Sequence, residues 1–452
     1  MISQLSMANI NLRNSIKCSR NPVMIESLRL KNFKGYKDSG VVPFAPLTVI
    51  IGCNNSGKSS LLQSLLALRE TVLDRDGKRL VTSSAGFNIG SFHEILNKDA
   101  SSEKISIEVF AKDSKNEIEG HSNKIPSKKL SLDFVFDQEL NRIRISKSEI
   151  RNDKNKVLFR GSEKSWKADF ASNKKVKSYT CFHWRNFLPT AHPKTNTPDS
   201  LDEKVNRVCY TMHRLTEFWD SFFRGIDNLA AIRQKIPFYQ NSSEEVSSSS
   251  GHGGPSLIYD LSESEQLLEA AGYWMEKFGV IKNLRLSRFG QDGSFRSLIA
   301  DDPDGSTGIN VASMGEGVSQ LLPIVTEVLV SESCLLIEQP EIHLNPNLQT
   351  RLADLFASSV KARNGQIVVE THSEHFVLRL KTLLASGELS PSHISLLFVG
   401  KQDGESIVEK LDIDDLGNFA DWPEGFFDES YQESKNHAKK VIEEREARRQ
   451  RK

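Results

Sequence analysis

The stretch PLTVIIGCNNSGKSSLLQSLLALRE, residues 46–70, decides the fold of this chain. A short β-branched run ends at Gly52, a loop of small polar residues follows, and leucines then recur at helical spacing. The loop satisfies the pattern GxxxxGK[ST], with a predicted strand before it and a predicted helix after it. Backbone N–H groups of such a loop converge on phosphate oxygens at the positive end of the helix. The stretch therefore predicts an α/β fold with a nucleotide site.

The loop gives separate tasks to two of its side chains. Lys58 stands where the lysine of the pattern bridges the β and γ phosphates, and Ser59 stands where a hydroxyl ligates magnesium. A chance match on a glycine- and serine-rich loop is the alternative, and the flanking strand and helix argue against it. The sequence therefore predicts ATP binding, with Mg²⁺ as the accompanying cofactor.

A second apolar run, LLIEQPEIHLNP at residues 335–346, carries an acid at its end. Beside a phosphate-binding loop, Glu338 is expected to hold the magnesium shell opposite Ser59. In many ATPases the next residue is a second acid that activates the attacking water. Here it is Gln339, an amide that cannot take a proton, so the rate of hydrolysis depends on what replaces that acid.

Two further segments complete the candidate site. QIVVETHSEHF, residues 366–376, is another β-branched run; His372 near its end can reach the γ-phosphate and orient water, whereas His375 is interpreted as structural. ASMGEG, residues 312–317, precedes an apolar helix and can form a second anion site, with an ordinary helix cap as the alternative. Because one chain rarely needs two γ-phosphate sites, this loop indicates a dimer that sandwiches ATP.

The bulk composition excludes some classes of protein. The 452 residues carry 59 basic and 59 acidic side chains, so a nucleic-acid contact must come from local patches. No apolar run approaches the roughly 18 residues that span a bilayer, and we expect no membrane partner. The five cysteines are scattered without CxxC pairs, as is typical of a reducing compartment, and we expect a cytoplasmic protein.

The order of these motifs resembles that of the ABC-type ATPase heads of the RecF, SMC and OLD proteins. Those heads have a P-loop near the start, a long insertion, and then a Ser-x-Gly loop, an acid strand and a Thr-His strand. More narrowly, EQPEIHLNP, ETHSEHFVLRL and DWPEGFFDE (421–429) resemble the OLD-like AAA ATPases of bacterial antiphage defence loci, including the ATPase subunits of Septu-type systems. The resemblance covers about residues 24–100 and 300–430.

The resemblance implies a role for each matching position. The switch histidine would be His372, Glu338 would serve magnesium, and residues 342–347 would touch the other subunit of a dimer. The Q-loop position falls near His93 or Glu94, with no glutamine there. The nucleotide itself would be held by three groups: Asn32, Phe33 and Lys34 on the adenine side; Gly52, Asn54, Asn55, Ser56, Gly57, Lys58, Ser59 and Ser60 around the phosphates; and Ser313 and Gly315 at the γ-phosphate across the dimer.

The domain organisation follows from the same pattern together with local composition. Short alternating runs such as ISIEVF and LSLDFVF predict a β-rich insertion, and residues 200–236 have helical spacing. We expect a disordered extension (1–23), the N-terminal lobe of a head (24–100), the β-rich insertion (101–199), a helical insertion with a flexible loop at 241–255 (200–290), the C-terminal lobe (291–430) and a charged tail (431–452).

Gln339 occupies the position at which ABC heads place the catalytic glutamate, and three readings compete. In the first the glutamine is native and only orients water, so hydrolysis is slow. In the second Glu341 acts as the base from across the turn at Pro340, and in the third the residue was engineered to trap ATP. The OLD-like pattern admits glutamine here, which favours a native residue. Losing a general base typically removes about 10²–10⁴ in rate, so we predict a weak ATPase.

We expect this chain to lack the effector domain of OLD nucleases. Only about 80 residues follow the Thr-His motif, fewer than a Toprim domain requires. Asp412, Asp414 and Asp415 contain a formal DxD match, which we interpret as a turn. If the system cuts nucleic acid, a partner is expected to supply the nuclease.

These observations favour an ATP-sandwich ATPase that forms a homodimer or higher oligomer and regulates a separate effector nuclease in antiviral defence. The alternative is a RecF-like DNA-repair ATPase that binds DNA in an ATP-dependent way, through basic residues such as Lys174, Lys175 and Lys177. The other interpretation of those lysines is that they lie on a solvated face of the sheet. In a third possibility the nucleotide is structural and never turns over.

Overall fold

The computed structural model describes most of the chain from residue 23 onward. The described residues form separate ranges along the chain. They are 23–74, 79–84, 87–113, 129–152, 154–162, 166–168, 180–185, 187–194, 199–241, 255–331, 333–362, 365–414, 416–418 and 440.

The helices among these residues are α1 (Lys58–Leu73), α2 (Phe92–Ile95), α3 (Asp199–Arg224), α4 (Pro255–Glu263), α5 (Glu265–Phe278), α6 (Glu316–Val330), α7 (Pro346–Ala362) and α8 (Glu374–Ala385). The first strands are β1 (Val23–Phe33), β2 (Tyr36–Asp38), β3 (Val42–Pro43), β4 (Leu47–Gly52), β5 (Ser83–Ser84), β6 (Phe87–Asn88), β7 (Lys104–Asp113), β8 (Lys129–Asp137), β9 (Arg142–Arg151), β10 (Val157–Gly161) and β11 (Trp166–Ala168). The remaining strands are β12 (Thr180–Arg185), β13 (Leu188–Pro193), β14 (Ile226–Leu229), β15 (Gln240–Asn241), β16 (Lys282–Phe289), β17 (Phe295–Asp301), β18 (Ile309–Asn310), β19 (Cys334–Glu338), β20 (Gln366–Glu370), β21 (Ile394–Gln402) and β22 (Glu405–Leu411).

A six-stranded sheet carries the candidate site, in the order β14-β19-β20-β4-β21-β22. The first five strands are parallel and the last is antiparallel. Parallel strands present their carboxyl ends at one edge of the sheet, where open α/β sheets bind their ligands. The strand that enters the P-loop, the acid strand and the Thr-His strand therefore end side by side, and the predicted mixed α/β fold is confirmed.

Two hydrophobic cores lie on the two faces of this sheet. In β4 the side chain of Ile50 enters one core, and those of Val49 and Ile51 enter the other. This alternation is the two-residue period of a strand buried on both faces. The first core packs against α1 and α3, and the second packs against α5, α6, α7 and α8.

A second sheet is antiparallel and has eight strands, with β11-β10-β9-β8-β7-β1-β2 in order and β3 beside β1. The runs expected to be antiparallel strands between residues 101 and 180 are strands in the structure where it describes them. Because β7 pairs directly with β1, these strands continue the N-terminal sheet instead of forming a separate one.

A buried glutamine joins the two sheets. The Gln366 amide nitrogen donates to the carbonyls of Ile25 at 2.9 Å and Ala45 at 3.0 Å, and its oxygen accepts from the Ile25 N–H at 2.9 Å. With 2% exposure, this side chain meets its hydrogen-bonding needs inside the core, as a buried amide must.

The expected helix over residues 200–236 is wrong at its C-terminal end. Helix α3 stops at Arg224, and Ile226–Leu229 then forms the edge strand β14. The four-residue strand is too short to interrupt a helical pattern visibly. The strand is stabilised by its parallel pairing with β19, a contact that its local sequence does not predict.

The expected turn at Asp414 is confirmed. Its carboxylate accepts from the backbone N–H groups of Leu416 at 2.9 Å and Asn418 at 2.7 Å. Several other expectations fall outside the described residues: the 1–22 extension, most of the 241–255 loop, Lys174, Lys175, Lys177, Asp415, the DWPEGFFDE segment and nearly all of the charged tail. Among the described helices, none has the length and apolarity needed to cross a membrane.

Candidate nucleotide-binding site

The P-loop leaves β4 and enters α1 through backbone conformations that favour glycine. Gly52 has φ of 144° and Gly57 has φ of 109°, and a Cβ added at Gly52 would collide with the carbonyl of Val399. Asn55 between them has φ of 63°, a conformation that asparagine tolerates well. The glycines of the motif are therefore required by the chain path itself.

Lys58 is folded back onto the loop that it follows. Its ammonium donates to the carbonyls of Gly52 at 2.9 Å and Cys53 at 2.7 Å, and the residue is 4% exposed. Burial lowers the pKa of this ammonium, while the nearby Glu370 opposes that change. The predicted phosphate-binding lysine thus lies inside the loop, with acids close by.

The closed end of the loop rests on residues that the sequence did not single out. The Tyr36 hydroxyl donates to the Gly57 carbonyl at 3.0 Å, and burial raises the pKa of that hydroxyl well above its usual range. Ser406 of β22 lies against Gly57, and its N–H donates to the Gly35 carbonyl at 2.9 Å. The C-terminal hairpin therefore helps to shape the P-loop.

The three residues expected on the adenine side differ in what they offer. Phe33 is wholly buried in the core, so its ring cannot face a nucleotide. The Asn32 amide donates to the Lys104 carbonyl at 2.9 Å, and the Lys34 ammonium donates to Gln63 at 2.6 Å. Asn32 and Lys34 both have positive φ (53° and 50°), which makes the turn sharp.

Two acids end neighbouring strands beside the P-loop. Glu338 of β19 and Glu370 of β20 are register partners, and the Ser59 hydroxyl donates to Glu370 Oε1 at 2.8 Å. Glu338 is predicted from the sequence to lie at this site, whereas Glu370 is not. The stretch QIVVETHSEHF does contain a signal for Glu370, since this acid ends its strand as Glu338 ends the neighbouring one.

Burial raises the pKa of both carboxyls. For Glu338 it raises the pKa to about 7; Glu370 adds to the rise, and the Ala231 N–H and Arg233 oppose it. For Glu370 burial is again the main cause, and the Ser59 hydroxyl and the Lys58 charge oppose it. A positive ion placed between these groups would favour their charged forms.

Gln339 begins a strained turn immediately after the acid strand. Its φ is 42°, and its N–H donates to the Glu370 carbonyl at 2.7 Å. His343, later in the same turn, has φ of 63°. Non-glycine residues rarely adopt such angles, and they occur disproportionately at functional sites.

Glu341 ties this turn to the loop of the Thr-His motif. Its Oε2 accepts from the Thr371 hydroxyl at 2.8 Å, and its Oε1 accepts from the His372 N–H at 2.6 Å. Both carboxylate oxygens are therefore engaged, which weighs against Glu341 as the general base. Burial raises its pKa, and these donors oppose the rise.

His372 lies half-buried at the mouth of the site. Burial lowers the pKa of its imidazole, and the positive charge of Lys58 lowers it further. A neutral imidazole can accept a hydrogen bond, as the predicted water-orienting role requires. Ser373 after it caps α8 by accepting from the Phe376 N–H at 3.0 Å.

Arg233 is a site residue that sequence reasoning missed. It is 4% exposed, and its guanidinium donates to the carbonyls of Glu338 at 3.2 Å and Gln339 at 3.3 Å and to Gln320 Oε1 at 3.3 Å. Burial lowers its pKa to about 10, against the pull of Glu341 and Glu338. It links the turn at Gln339 to helix α6.

The loop expected to reach a partner's nucleotide is exposed. Ser313 ends a short 3₁₀ turn and Gly315 caps α6, and a Cβ added at Gly315 would meet no atom of the described residues within 4 Å. Glu316, the first residue of α6, lies 3.7 Å from His343 and 3.8 Å from Lys235. The loop therefore shares one surface with the turn that follows Gln339.

The expected Q-loop position lies in helix α2. Glu94 completes a capping box at α2, where its carboxylate accepts from the N–H and hydroxyl of Ser91 at 2.7 and 2.8 Å. Arg233, which follows the edge strand β14, instead reaches the site. The loop after β14 was not recognised because β14 itself was not predicted.

The residues present fit a magnesium ion accompanied by phosphates. Ser59, Glu338 and Glu370 supply hard oxygen atoms at one edge of the sheet. In the described part of the chain no group of three or more His, Cys, Asp or Glu side chains forms a metal site alone. Mg²⁺ at nucleotide sites usually takes one or two carboxylates plus phosphates and waters, so this donor set is of the right kind.

The fold and the P-loop together define a P-loop ATPase of the AAA type. Residues 47–378 match the family described as "AAA domain, putative AbiEii toxin, Type IV TA system", and the chain belongs to this family. The predicted ATPase activity is thereby confirmed at the level of the family. Residues 389–435 match a second model, described as a protein of unknown function (DUF3696), which includes the hairpin carrying Ser406.

The chain is also similar to individual known proteins. A Helicobacter pylori protein named ATP/GTP phosphatase is 22% identical over 394 residues, which are 86% of this chain and 95% of that protein.

Three solved structures of SMC heads are similar to this chain, and each match covers 86% of it. One, bound to the C-winged helix domain of ScpA, has 13% identity, 98% coverage of its own chain and a TM-score of 0.42. The SMC head of Thermotoga maritima is 11% identical, is covered over 100% of its own chain and has a TM-score of 0.41. The SMC head of Pyrococcus furiosus is 13% identical, is covered over 96% of its own chain and has a TM-score of 0.43. With TM-scores this low, these likenesses support no inference about partners.

Proposed function

We propose that this chain binds Mg²⁺-ATP between two copies of itself, hydrolyses it slowly, and uses the closed state to regulate a separate effector nuclease in antiviral defence. The observation that carries the proposal is a P-loop, two strand-end carboxylates and a histidine gathered at one sheet edge, with an amide at Gln339. Such a site retains the groups that bind ATP and lacks the usual general base that activates water for ATP hydrolysis.

Slow hydrolysis is supported by the contacts of the two residues that follow Glu338. Gln339 cannot take a proton, and both carboxylate oxygens of Glu341 already accept hydrogen bonds from the Thr-His loop. We expect turnover well below about 10 per second, the median for enzymes. ATP then acts mainly as the ligand that holds the dimer closed.

Dimerisation is supported by the surface around the Ser313 loop. Ser313 and Gly315 are exposed at the N-terminus of α6, where the helix dipole and free N–H groups favour an anion. The turn that contains His343 borders the same surface. In the proposed dimer this surface faces the partner's γ-phosphate.

The defence role rests on the motif resemblance described above, carried by EQPEIHLNP and ETHSEHFVLRL. The DNA-repair alternative gains little support from the described β-rich region. There Lys129 lies 2.9 Å from Glu108 and Arg151 lies 2.5 Å from Glu149, which also pairs with Arg160. Basic residues neutralised in this way are typical of a solvated sheet face.

Light scattering coupled to size exclusion tests the dimer. The wild-type chain should double its mass with Mg²⁺-ATP and not with ADP, and Lys58→Ala should remain monomeric under both conditions. An oligomer that ignores nucleotide and the Lys58 substitution would contradict the ATP-controlled assembly.

Co-expression with the neighbouring genes tests the effector. We expect a nuclease to co-purify in fixed proportion with the tagged chain, and its activity to change when ATP is replaced by ADP. A chain that purifies alone and grips DNA in a salt-sensitive way would favour the repair ATPase instead.

A further inference from the structure

We propose that Glu370 is a magnesium-positioning residue, which orients the Ser59 hydroxyl toward the ion and receives a metal-bound water on its second oxygen. This inference rests on the proposed nucleotide site and deepens it. The position lies outside the motif residues assigned from the sequence.

Strand order places Glu370 between the two halves of the site. β20, which ends at Glu370, lies between the acid strand β19 and the P-loop strand β4. The pairing register sets Glu370 beside Glu338 on one side and beside Ile50 on the other. A carboxylate at this strand end therefore faces the gap that a metal ion shared by Ser59 and Glu338 must occupy.

The hydrogen bond from Ser59 determines what Glu370 can do. A serine hydroxyl ligates a metal through an oxygen lone pair, so its proton must point to an acceptor elsewhere. The Ser59 hydroxyl donates to Glu370 Oε1 at 2.8 Å, which fixes the proton on the Glu370 side. The free lone pairs of Ser59 are then directed away from that bond.

The second carboxylate oxygen of Glu370 is available for a hydrogen bond from a bound water or for contact with an ion. Glu370 is 3% exposed, and its Oε2 is buried without a hydrogen-bond partner among the described residues. A buried carboxylate oxygen left unpaired is costly, so such atoms usually face a water or an ion. A magnesium-bound water supplies two donor hydrogens of the required kind.

Glu370→Gln is the direct test, because it keeps the shape of the side chain and removes the charge. The dissociation constant of a fluorescent ATP analogue is measured in EDTA and in saturating Mg²⁺. In the wild type Mg²⁺ should tighten binding. In Glu370→Gln that gain should fall at least about tenfold, while binding in EDTA stays within about twofold. Ten-fold corresponds to about 1.4 kcal/mol.

Glu374→Gln is the matched control, since it makes the same chemical change four residues further along, in the first turn of α8. It should retain the full Mg²⁺ gain. Thermal unfolding in EDTA checks that both variants fold. If Glu370→Gln does not fold, Glu370→Asp decides, because it keeps the charge but withdraws it from Ser59 and should also lose the gain.

The outcomes separate two failures. A folded Glu370 variant with the full Mg²⁺ gain would overturn the inference and leave the proposed nucleotide site intact. A wild-type chain that binds no nucleotide, or binds it equally well after Lys58→Ala, would overturn the proposed site itself. A merely structural Glu370 would weaken binding equally in EDTA and in Mg²⁺, and that result also counts against the inference.

Discussion

The backbone N–H of Gln339 donates a 2.7 Å hydrogen bond to the carbonyl of Glu370. This bond holds the backbone of Gln339 beside the residue whose carboxylate accepts a hydrogen bond from Ser59. The side chain of Glu341 fastens the same turn to the loop of His372 from the other side. Hydrogen bonds therefore connect the segments that carry Gln339, Glu370 and His372, the groups that would act on the γ-phosphate. The contribution of each group can be tested by substitution.

Glu341 is predicted to stabilise the site without acting as its base. In Glu341→Gln the new NH₂ group must face either the Thr371 hydroxyl or the His372 N–H, and a lost acceptor of this kind costs about 1–3 kcal/mol. Urea unfolding should show that loss. The pH dependence of ATP turnover should keep its shape, whereas loss of the rise in rate on the acidic side would instead identify Glu341 as the base, because a general base acts only when deprotonated.

Arg233 is predicted to connect the turn at Gln339 with helix α6. Arg233→Lys keeps the positive charge but cannot reach two carbonyls and the Gln320 amide together, since an ammonium lacks the planar fork. We expect weaker ATP-dependent dimerisation, by about tenfold or more, with ATP affinity of the monomer nearly unchanged. Sedimentation at graded protein concentrations measures the first, and the fluorescent analogue measures the second. Equal losses in both would show that Arg233 acts on nucleotide binding itself.

Cys53 offers a chemical probe of the P-loop. Its side chain is exposed, whereas those of Cys209 and Cys334 are buried, and burial also raises the pKa of the Cys334 thiol far above its usual range. Alkylation read out by peptide mass spectrometry should modify Cys53 well before these two. Mg²⁺-ATP should slow that modification at least about tenfold, and Lys58→Ala should abolish the protection. Unchanged labelling of Cys53 with ATP would contradict its place at the nucleotide.

Glu338 should make the nucleotide-free protein less stable as the pH rises. Its pKa is raised from 4.5 to about 7 by burial, so the folded state binds a proton that the unfolded state has lost between these values. Its contribution is therefore fully present below about pH 4.5 and lost as the pH rises through about 7. In EDTA, Glu338→Gln should match the wild type near pH 5 and exceed it at pH 8. The gain is at most about 3.5 kcal/mol, at about 1.4 kcal/mol per pKa unit.

That prediction is checked by urea unfolding at the two pH values. A stability difference between Glu338→Gln and the wild type that stays constant from pH 5 to pH 8 would contradict the raised pKa. Exposed Glu409→Gln serves as the control and should follow the wild type throughout.

The sequence predicted the parts of the fold that are dictated locally. The β-branched run into Gly52 and the leucine spacing after Lys58 specify a strand, a loop and a helix without help from the rest of the chain. The sequence also predicted that Glu338 and His372 lie near each other, because parallel strands have their carboxyl ends at one edge of the sheet. These expectations need only periodicity and the general rule for open α/β sheets.

The missed residues depend on contacts between distant segments. Arg233 follows a four-residue strand whose stability comes from pairing with β19. Tyr36 and Ser406 meet at Gly57, although 370 positions separate them in the chain. Glu370 was visible as a residue, but its bond to Ser59 depends on the strand order. Local patterns carry no information about such neighbours.

Steady-state ATP turnover of the wild type beside Gln339→Glu tests the central claim most directly. The substitution restores a carboxylate at the position after Glu338, and a general base is worth about 10²–10⁴ in rate. We predict slow turnover in the wild type, a rise of at least about a hundredfold in Gln339→Glu, and a shorter-lived ATP-bound dimer. Fast wild-type turnover, or a Gln339→Glu variant no faster than the wild type, would contradict the account.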